Sequence, residues 1–291
     1  MNKKNSNKNS TNSLINNSKN DLNDHYSWNA ADYAKHSSNQ QLWAQELIPK
    51  LDLKGNENLL DIGCGDGKIT AEIAKKLPYG NVIGIDSSKE MIDLAKKTFP
   101  PSIWRNLSFK KMDAQKLTFT NVFDRVFSNA ALHWIPDQKA VVEGGAKSLK
   151  SNGRLLFQMG GRGNAKDILD ILAVMLEEKK WVRFFENFLF PYSFCDVDEY
   201  TLLLTAAGLK PKRVVLVPKT MNLNGATGLA GWIRTTWLPY TQRLPDSIQN
   251  EFINELADRY VEKNPADPNG TVHLKIVRLE VEAYKPYSLL L

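Results

Sequence analysis

One glycine-rich stretch constrains the fold of this 291-residue chain more than any other feature. It runs over Leu59–Gly67, follows an apolar segment and leads into a segment with helical periodicity. Its three glycines, Gly63, Gly65 and Gly67, stand at alternate positions. Glycine permits positive φ angles and the close approach of a ligand, and a helix start offers unpaired N–H groups. The stretch therefore predicts a strand, a tight turn and a helix whose junction forms a binding site.

Acidic residues around this turn indicate the charge of the ligand. Asp61 precedes the glycines and Asp66 lies among them. A dinucleotide site holds a pyrophosphate against a Gly-x-Gly-x-x-Gly turn, but here Gly67 comes too early and the two carboxylates would repel phosphate. The turn instead favours a ligand that carries an ammonium or sulfonium group. Asp86 ends the next predicted strand, where a carboxylate can reach ribose hydroxyls, as it also does in NAD sites.

Strands and helices alternate along the middle of the chain. Apolar runs separated by segments with helical periodicity fill residues 57–219, which is typical of a mainly parallel α/β sheet. The predicted strands are 58–62, 82–86, 107–112, 123–128, 153–158 and 212–217, with a final strand near 273–283. The predicted helices are 68–76, 89–99, 138–148 and 197–207. We therefore predict a doubly wound α/β fold.

Two insertions interrupt this alternation. Residues 165–192 form an aromatic-rich helical stretch, and residues 222–268 form a second one that ends in an amphipathic helix near 245–263. Together with a helix-like segment at 25–53, we expect them to form a lid over the bound molecules. Aromatic residues at helical spacing usually belong to a core, so those of the first insertion fit either core packing or pocket lining. Arg234 fits either a pairing with an acidic substrate or a surface position.

Four segments in order resemble the class I S-adenosylmethionine-dependent methyltransferases. Leu59–Gly67 resembles the family's first motif, and Ile85-Asp86 resembles its ribose-binding acid. Met112-Asp113-Ala114 resembles its adenine-binding segment, and Phe123–Trp134 resembles its fourth strand with the loop over the methyl group. The resemblance implies S-adenosyl-L-methionine as the cofactor and a seven-stranded sheet whose last strand is antiparallel beside the sixth. The cofactor-binding positions that it implies are Asp61, Gly63, Gly65, Asp86, Ser87, Asp113, Ala114 and Asn129.

A narrower resemblance concerns the methyl acceptor. The run Ser128–Trp134 resembles trans-aconitate and juvenile hormone acid methyltransferases, and Tyr33–Gln40 resembles the latter group. In that family a Gln of the first helix and the Trp that closes the fourth motif hold the substrate carboxylate. These positions match Gln40 and Trp134, although the adjacent Gln41 fits the first role as well. The first helix lacks the Arg of the trans-aconitate enzymes. The resemblance implies O-methylation of a small-molecule carboxylate.

The chemistry of a carboxylate acceptor agrees with these residues. A carboxylate is ionised at pH 7 and needs no general base, and neutral amide and indole donors hold it without withdrawing charge from the attacking oxygen. His133, next to Trp134, is the competing catalytic candidate, as a base for a hydroxyl acceptor, as a positioning group or as a histidine bonded within its loop. A hydroxyl, a carbon or an acyl group on a carrier protein is therefore an alternative acceptor. A non-catalytic nucleoside-binding protein is a more distant alternative.

Composition disfavours several other classes of protein. The net charge is +6, but the Lys and Arg residues are scattered without a nucleic-acid-binding motif, so we expect no nucleic-acid partner. The longest apolar runs fall short of the roughly 18 residues of a membrane span, and no zinc spacing predicts a metal site. Residues 1–24, rich in Asn, Lys and Ser, predict a disordered tail before a methyltransferase domain over 25–291. Two cysteines without a signal-peptide pattern indicate a cytoplasmic setting.

Overall fold

A seven-stranded sheet forms the centre of the structure, a computed structural model that describes residues 26–29, 32 and 38–287. The strands are β1 (Asn58–Ile62), β2 (Asn81–Asp86), β3 (Leu107–Lys111), β4 (Phe123–Asn129), β5 (Leu149–Gly160), β6 (Lys210–Asn224) and β7 (Thr271–Tyr284). Their order is β3-β2-β1-β4-β5-β7-β6. The first five strands pair in parallel, and β7 is antiparallel to both β5 and β6. The predicted doubly wound sheet with an antiparallel last strand is confirmed.

Helices cover both faces of the sheet. They are α1 (Ser38–Leu47), α2 (Lys68–Lys75), α3 (Lys89–Thr98), α4 (Gln138–Ser148), α5 (Lys166–Leu176), α6 (Val197–Ala206), α7 (Gly225–Thr236), α8 (Leu238–Thr241) and α9 (Asp246–Lys263). The sequence sets where several of them begin. Ser88 accepts a hydrogen bond from the Met91 amide at 3.1 Å at the start of α3, and Asp196 and Glu199 form a capping box on α6. Side chains of residues 38–40 and the tail predicted at 1–24 lie outside the described residues.

The alternation of side chains along the strands divides the core into two layers. Leu59 and Phe127 pack with α2 and α3 on one face of the sheet, whereas Leu60 and Val126 pack with α4 and α6 on the other. Successive residues of a strand point to opposite faces, and both faces here are covered. The central strands β1 and β2 are therefore apolar over most of their length, as in other buried parallel sheets, and the carboxyl edge of β1 to β4 is left for polar residues.

Strands β6 and β7 extend beyond the sheet as a two-stranded ribbon. The predicted end of β6 at residue 217 is wrong, because Met221 and Leu223 continue the burial at alternate positions as far as Asn224. The second insertion therefore occupies 225–270 rather than starting at 222. The ribbon joins a third apolar cluster, which we call the lid cluster. Its large members include Trp43, Trp181, Phe185, Trp232, Trp237, Tyr240 and Phe252.

Candidate functional site

The glycine turn after β1 folds against the next strand and against the loop after β4. The Gly63 and Cys64 amides both donate to the Ile85 carbonyl oxygen, at 2.8 and 2.9 Å. Gly63 has a φ of +73°, and a Cβ there would lie 2.2 Å from the Ala131 Cβ. Gly65 has a φ of +54°, and a Cβ there would meet nothing within 4 Å. The turn therefore has one tightly packed glycine and one glycine whose backbone faces open space.

Asp61 at the end of β1 is buried below this turn. One of its carboxylate oxygens accepts a 2.7 Å hydrogen bond from the Thr70 hydroxyl of α2, and the side chain is only 2% exposed. Burial raises the pKa of Asp61 from its ordinary 3.8 to about 7, and the charge of Asp86 adds to the rise. A nearby cation would reverse this shift, because an opposite charge stabilises the carboxylate. Binding of a cation next to the turn would therefore convert Asp61 to its negatively charged form.

Asp86 at the end of β2 connects the turn to the following strand. Its carboxylate accepts hydrogen bonds from the Gly65 amide at 3.0 Å and the Ser88 amide at 2.9 Å. Burial raises the pKa of Asp86, and these amides partly offset the rise. Its carbonyl oxygen accepts from the Met112 amide at 2.9 Å, which places Asp113 beside it. Three acids thus line the carboxyl edge of β1, β2 and β3.

Asp113 begins a short helical turn at this edge. Its carboxylate accepts a hydrogen bond from the Gln115 amide at 2.9 Å, so part of its bonding capacity caps the turn. A carboxylate has roughly four lone-pair sites, so this bond still leaves room for a further donor. Ala114 is buried, whereas Ser87, between β2 and α3, is exposed.

Hydrogen bonds from backbone and side-chain amides hold the loop after β4 in a fixed shape. The Ala130 amide donates to the Gln158 carbonyl oxygen at 2.8 Å. The side-chain amide of Gln138 donates to the Leu132 and Ile135 carbonyl oxygens, at 2.6 and 2.7 Å. These bonds set a short helical turn over 132–134, and they fix the directions of the two aromatic side chains at its end.

Trp134 lies inside a group of aromatic rings. The centroids of Trp28 and Tyr192 are each 5.1 Å from its ring, and that of Tyr26 is 6.2 Å away. The neighbouring segment is tied down because the Gln242 side chain and the Ser27 backbone exchange hydrogen bonds of 2.7 and 3.2 Å. We call the rings of Tyr26, Trp28, His133, Trp134 and Tyr192 the aromatic box.

His133 contributes a neutral ring to the aromatic box. Its Nδ1 accepts a hydrogen bond from the Gly160 amide at 3.4 Å, and its ring centroid lies 5.9 Å from that of Trp134. Desolvation lowers the pKa of His133 to about 3, and the positive charge of Arg278 contributes to the lowering. His133 is therefore uncharged at pH 7 and is a weak base.

Comparisons with known proteins agree with this geometry. Residues 53–187 match the model of a family described as a methyltransferase domain. The trans-aconitate 2-methyltransferase of Enterobacter sp. strain 638 is 26% identical over 253 residues, which are 87% of this chain and 96% of that protein. An uncharacterised methyltransferase of Schizosaccharomyces pombe is 30% identical over 201 residues, 68% of this chain and 76% of that protein. The chain belongs to the class I S-adenosylmethionine-dependent methyltransferases.

A solved structure supports the fold of this methyltransferase. The phosphoethanolamine N-methyltransferase 2 of Haemonchus contortus, solved with S-adenosylhomocysteine, has a TM-score of 0.56 to this chain at 16% identity. The match covers 89% of this chain and 57% of that chain. The two proteins therefore share the seven-stranded methyltransferase architecture.

The carboxyl edge of β1 to β3 fits the cofactor of this methyltransferase, S-adenosyl-L-methionine. The open face at Gly65 gives a ligand access to backbone. Asp61 is buried and Asp86 is half-buried, and a nearby sulfonium or ammonium group would stabilise the charged form of either carboxylate. In the part of the chain that the structure describes, no three His, Cys, Asp or Glu side chains form a metal site. No helix in that same part is long and apolar enough to span a bilayer.

The predicted site residues fall into two groups in the structure. The cofactor candidates line the carboxyl edge of the first four strands: Asp61, Gly63, Gly65, Asp86, Ser87, Asp113, Ala114 and Asn129. The catalytic candidates His133 and Trp134 lie in the adjoining aromatic box. Gln40 lies on α1, but its side chain is outside the described residues. The Gln41 amide donates to the Glu72 carboxylate at 3.0 Å, which engages the alternative glutamine in a bond to α2.

Several residues of the site were not predicted from the sequence. Tyr192 packs face to edge on Trp134. Its one signal in the sequence is the cluster of aromatic residues at 181–194. Arg234, considered for an acidic substrate, instead binds the Asp32 carboxylate at 2.8 and 3.1 Å. Arg278 of β7 reaches the neighbourhood of His133, and no local motif marks it.

Proposed function

We propose that the methyltransferase transfers its methyl group to a carboxylate oxygen of a small-molecule acid. The observation that carries this proposal is the neutrality of the aromatic box. His133 has a pKa of about 3, and burial raises the pKa of Tyr192 well above its ordinary value. Neither group is a good base at pH 7. An acceptor that arrives already ionised, as a carboxylate does, needs no base.

On the cofactor side we propose roles that follow from the hydrogen-bonding geometry. Asp86 would bind the ribose hydroxyls, because its carboxylate ends β2 beside the open face of Gly65. Asp113 would accept from the adenine amino group, with the Ala114 amide serving a ring nitrogen. Asp61 would face the ammonium end of the methionine portion. The other proposed contacts come from Gly63, Ser87 and the backbone of Asn129.

On the acceptor side we propose that Trp134 and Gln40 position the reacting carboxylate. An indole N–H and a side-chain amide each donate a hydrogen bond without carrying charge. The bound cofactor supplies an activated methyl group on a sulfonium, so the residues need only align the acceptor oxygen and exclude water. The rings of the aromatic box would exclude water from the acceptor oxygen. The carboxylate oxygen forms the new C–O bond as the C–S bond breaks, which yields a methyl ester and S-adenosylhomocysteine.

The relatives give partial support to this choice of acceptor. Trans-aconitate 2-methyltransferase is named for an acid substrate, and the match covers 87% of this chain.

We also propose a cytoplasmic setting, since buried Cys64 and half-buried Cys195 are both free thiols.

The test uses S-adenosyl-L-methionine with a labelled methyl group and a panel of aliphatic acids, alcohols and carrier-bound acyl groups. Methyl esters release labelled methanol in mild alkali, whereas methyl ethers and C-methyl products do not. We expect alkali-labile product from acids alone. Trp134→Phe keeps the ring but removes the N–H donor and serves as the matched variant. Label retained after alkali would contradict the carboxylate proposal and would point to a hydroxyl or carbon acceptor.

A further inference from the structure

Gln138 is a buried amide at the start of α4, outside both groups of predicted site residues. It is 5% exposed, and its Nε2 donates to the carbonyl oxygens of Leu132 and Ile135, at 2.6 and 2.7 Å. The two bonds use both N–H groups of the amide. Gln138 therefore ties α4 to the beginning and to the end of the helical turn that carries His133 and Trp134.

The start of α4 does not explain why an amide is buried here. The helix is capped separately, because the Asp137 carboxylate accepts a hydrogen bond from the Ala140 amide at 2.9 Å. The Oε1 of Gln138 is buried, and no donor among the described residues reaches it. Burying an unpaired oxygen costs free energy that an apolar side chain of the same length avoids. The contribution of the amide is therefore its pair of bonds to the preceding turn.

The beginning of the loop after β4 is held without Gln138. The Ala130 amide donates to the Gln158 carbonyl oxygen at 2.8 Å. Ala131 lies against the glycine turn, since a Cβ at Gly63 would be 2.2 Å from its own Cβ. The contact with the cofactor side is thus made upstream of the bonds from Gln138. Loss of those bonds should loosen the turn that ends at Trp134 and leave the glycine turn in place.

The end of the loop meets the first insertion at Trp134. The indole ring lies 5.1 Å from the ring of Tyr192, and the Ser193 amide donates to the His133 carbonyl oxygen at 2.8 Å. A loosened turn would therefore let the indole move relative to rings that belong to another part of the chain. A displacement of a positioning group by about 1 Å can slow a reaction by about a hundredfold.

We propose that Gln138 is a positioning residue of the methyltransferase, which holds the turn that directs the Trp134 indole towards the methyl acceptor. The inference rests on the proposed contact between Trp134 and the acceptor, and it adds the residue that fixes the direction of that contact. Gln138 acts through the turn rather than by touching either reactant. Its loss should therefore lower kcat and leave cofactor affinity unchanged.

The kinetic test compares Gln138→Met with Gln249→Met. Methionine keeps the length of the side chain and removes the donors. Gln249 is the matched control, because its Nε2 also donates to a backbone carbonyl oxygen before a helix, that of Leu244 at 3.0 Å, but it does so at α9. The assay uses labelled S-adenosyl-L-methionine and whichever acceptor of the panel is methylated fastest.

Gln138→Met should lower kcat by about tenfold, the value of roughly one hydrogen bond, whereas Gln249→Met should retain the wild-type kcat. Calorimetric titration with S-adenosylhomocysteine should give the same Kd for all three proteins. If Gln138→Met does not fold, Gln138→Asn carries the same comparison, because its shorter amide cannot reach both carbonyl oxygens.

Hydrogen exchange gives a second readout that needs no acceptor. The amides of Trp134 and Ile135 donate within the turn, to the Ala131 and Leu132 carbonyl oxygens at 3.0 and 2.9 Å. Both amides should exchange faster in Gln138→Met than in the wild type, and at the wild-type rate in Gln249→Met. Faster exchange confined to this turn is the signature of a local loss of positioning.

Two results would overturn the role of Gln138. One is a folded variant with the wild-type kcat or with unchanged exchange at Trp134 and Ile135. The other is an equal loss of kcat and of S-adenosylhomocysteine affinity, which would show a general structural role. Absence of labelled ester from every acid would instead contradict the proposed carboxylate methylation, and the exchange rates would still decide whether Gln138 holds the turn.

Discussion

The two sides of the carboxyl edge of the sheet differ in charge. The cofactor side, at β1 to β3, holds three acids, of which Asp61 is buried, and their oxygens accept from nearby backbone amides and from Thr70. The acceptor side, after β4, holds neutral rings contributed by distant segments. Negative charge suits a cationic methyl donor, and a neutral dry surface suits an anionic nucleophile that must stay reactive. Under the proposed carboxylate methylation, this difference would let one edge of the sheet bind two oppositely charged reactants.

The largest effect is expected from a substitution that disrupts the contact between the two sides. Gly63→Ala places a methyl group 2.2 Å from the Ala131 side chain at a positive φ, so the free energy of unfolding should fall by about 3 kcal/mol. Gly65→Ala has the same backbone strain without the clash and should cost only about 1 kcal/mol. Its methyl group should instead weaken cofactor binding. Urea denaturation and cofactor titration of the pair separate the two effects, and equal destabilisation by both changes would refute the tight packing at Gly63.

A second effect concerns the protonation of Asp61. The pKa of Asp61 is raised to about 7 in the free protein, and a bound cation should lower it again. Cofactor affinity should therefore rise by about fivefold from pH 6 to pH 7, by about twofold more above pH 7, and level off near pH 8. Asp61→Asn keeps the hydrogen bond from Thr70 and should abolish this dependence. A wild-type affinity that is flat over this range would contradict the role of Asp61.

The same residue should affect the stability of the free protein in a defined direction. Neutral Asp61 stabilises the folded state below pH 3.8, and this contribution is lost as the pH rises to about 7. His133 acts in the opposite sense, because its pKa falls from 6.5 to about 3 and folding is favoured as the pH rises between these values. Because wild type and Asp61→Asn both contain His133, its contribution cancels when their unfolding free energies are subtracted. The unfolding free energy of the wild type should therefore fall relative to that of Asp61→Asn as the pH rises.

The smallest expected effect concerns the segment that covers Trp134. Arg234 binds Asp32 at the surface, and such exposed pairs contribute about 0.5 kcal/mol. Arg234→Gln should raise the KM for the acceptor by about twofold and leave cofactor affinity unchanged. Lys166→Gln, which breaks a surface pair within α5, is the control. A larger change in cofactor affinity than in acceptor KM would show that the segment belongs to the cofactor side rather than the acceptor side.

The cofactor side could be predicted from the sequence because its contacts are local in the chain. The glycine turn, Asp86 and Asp113 each follow directly from a strand, and β1 was predicted with its observed bounds. The pattern of strand, turn and helix predicts where these residues lie without any contact between distant segments. Parallel strands bring their carboxyl ends to one edge, so the topology alone assembles the acids.

The acceptor side could be predicted only in part because its contacts join distant segments. Trp134 was marked by its loop motif, but its neighbours Trp28 and Tyr192 come from the N-terminal segment and the first insertion. The length of β6 was underestimated because Pro218 follows its predicted end and only two apolar residues, Met221 and Leu223, continue the alternation beyond it. Arg278 was missed because only the antiparallel insertion of β7 brings it to His133.

The division between the two sides is tested most directly by measuring cofactor affinity and kcat in Asp86→Asn and Trp134→Phe together. Asp86→Asn should weaken cofactor binding by about a hundredfold, because its amide cannot replace a charged acceptor, and kcat at saturating cofactor should change little. Trp134→Phe should lower kcat by about tenfold through loss of one hydrogen bond, with cofactor affinity unchanged. If both variants changed the same parameter, the separation of donor and acceptor recognition would be wrong.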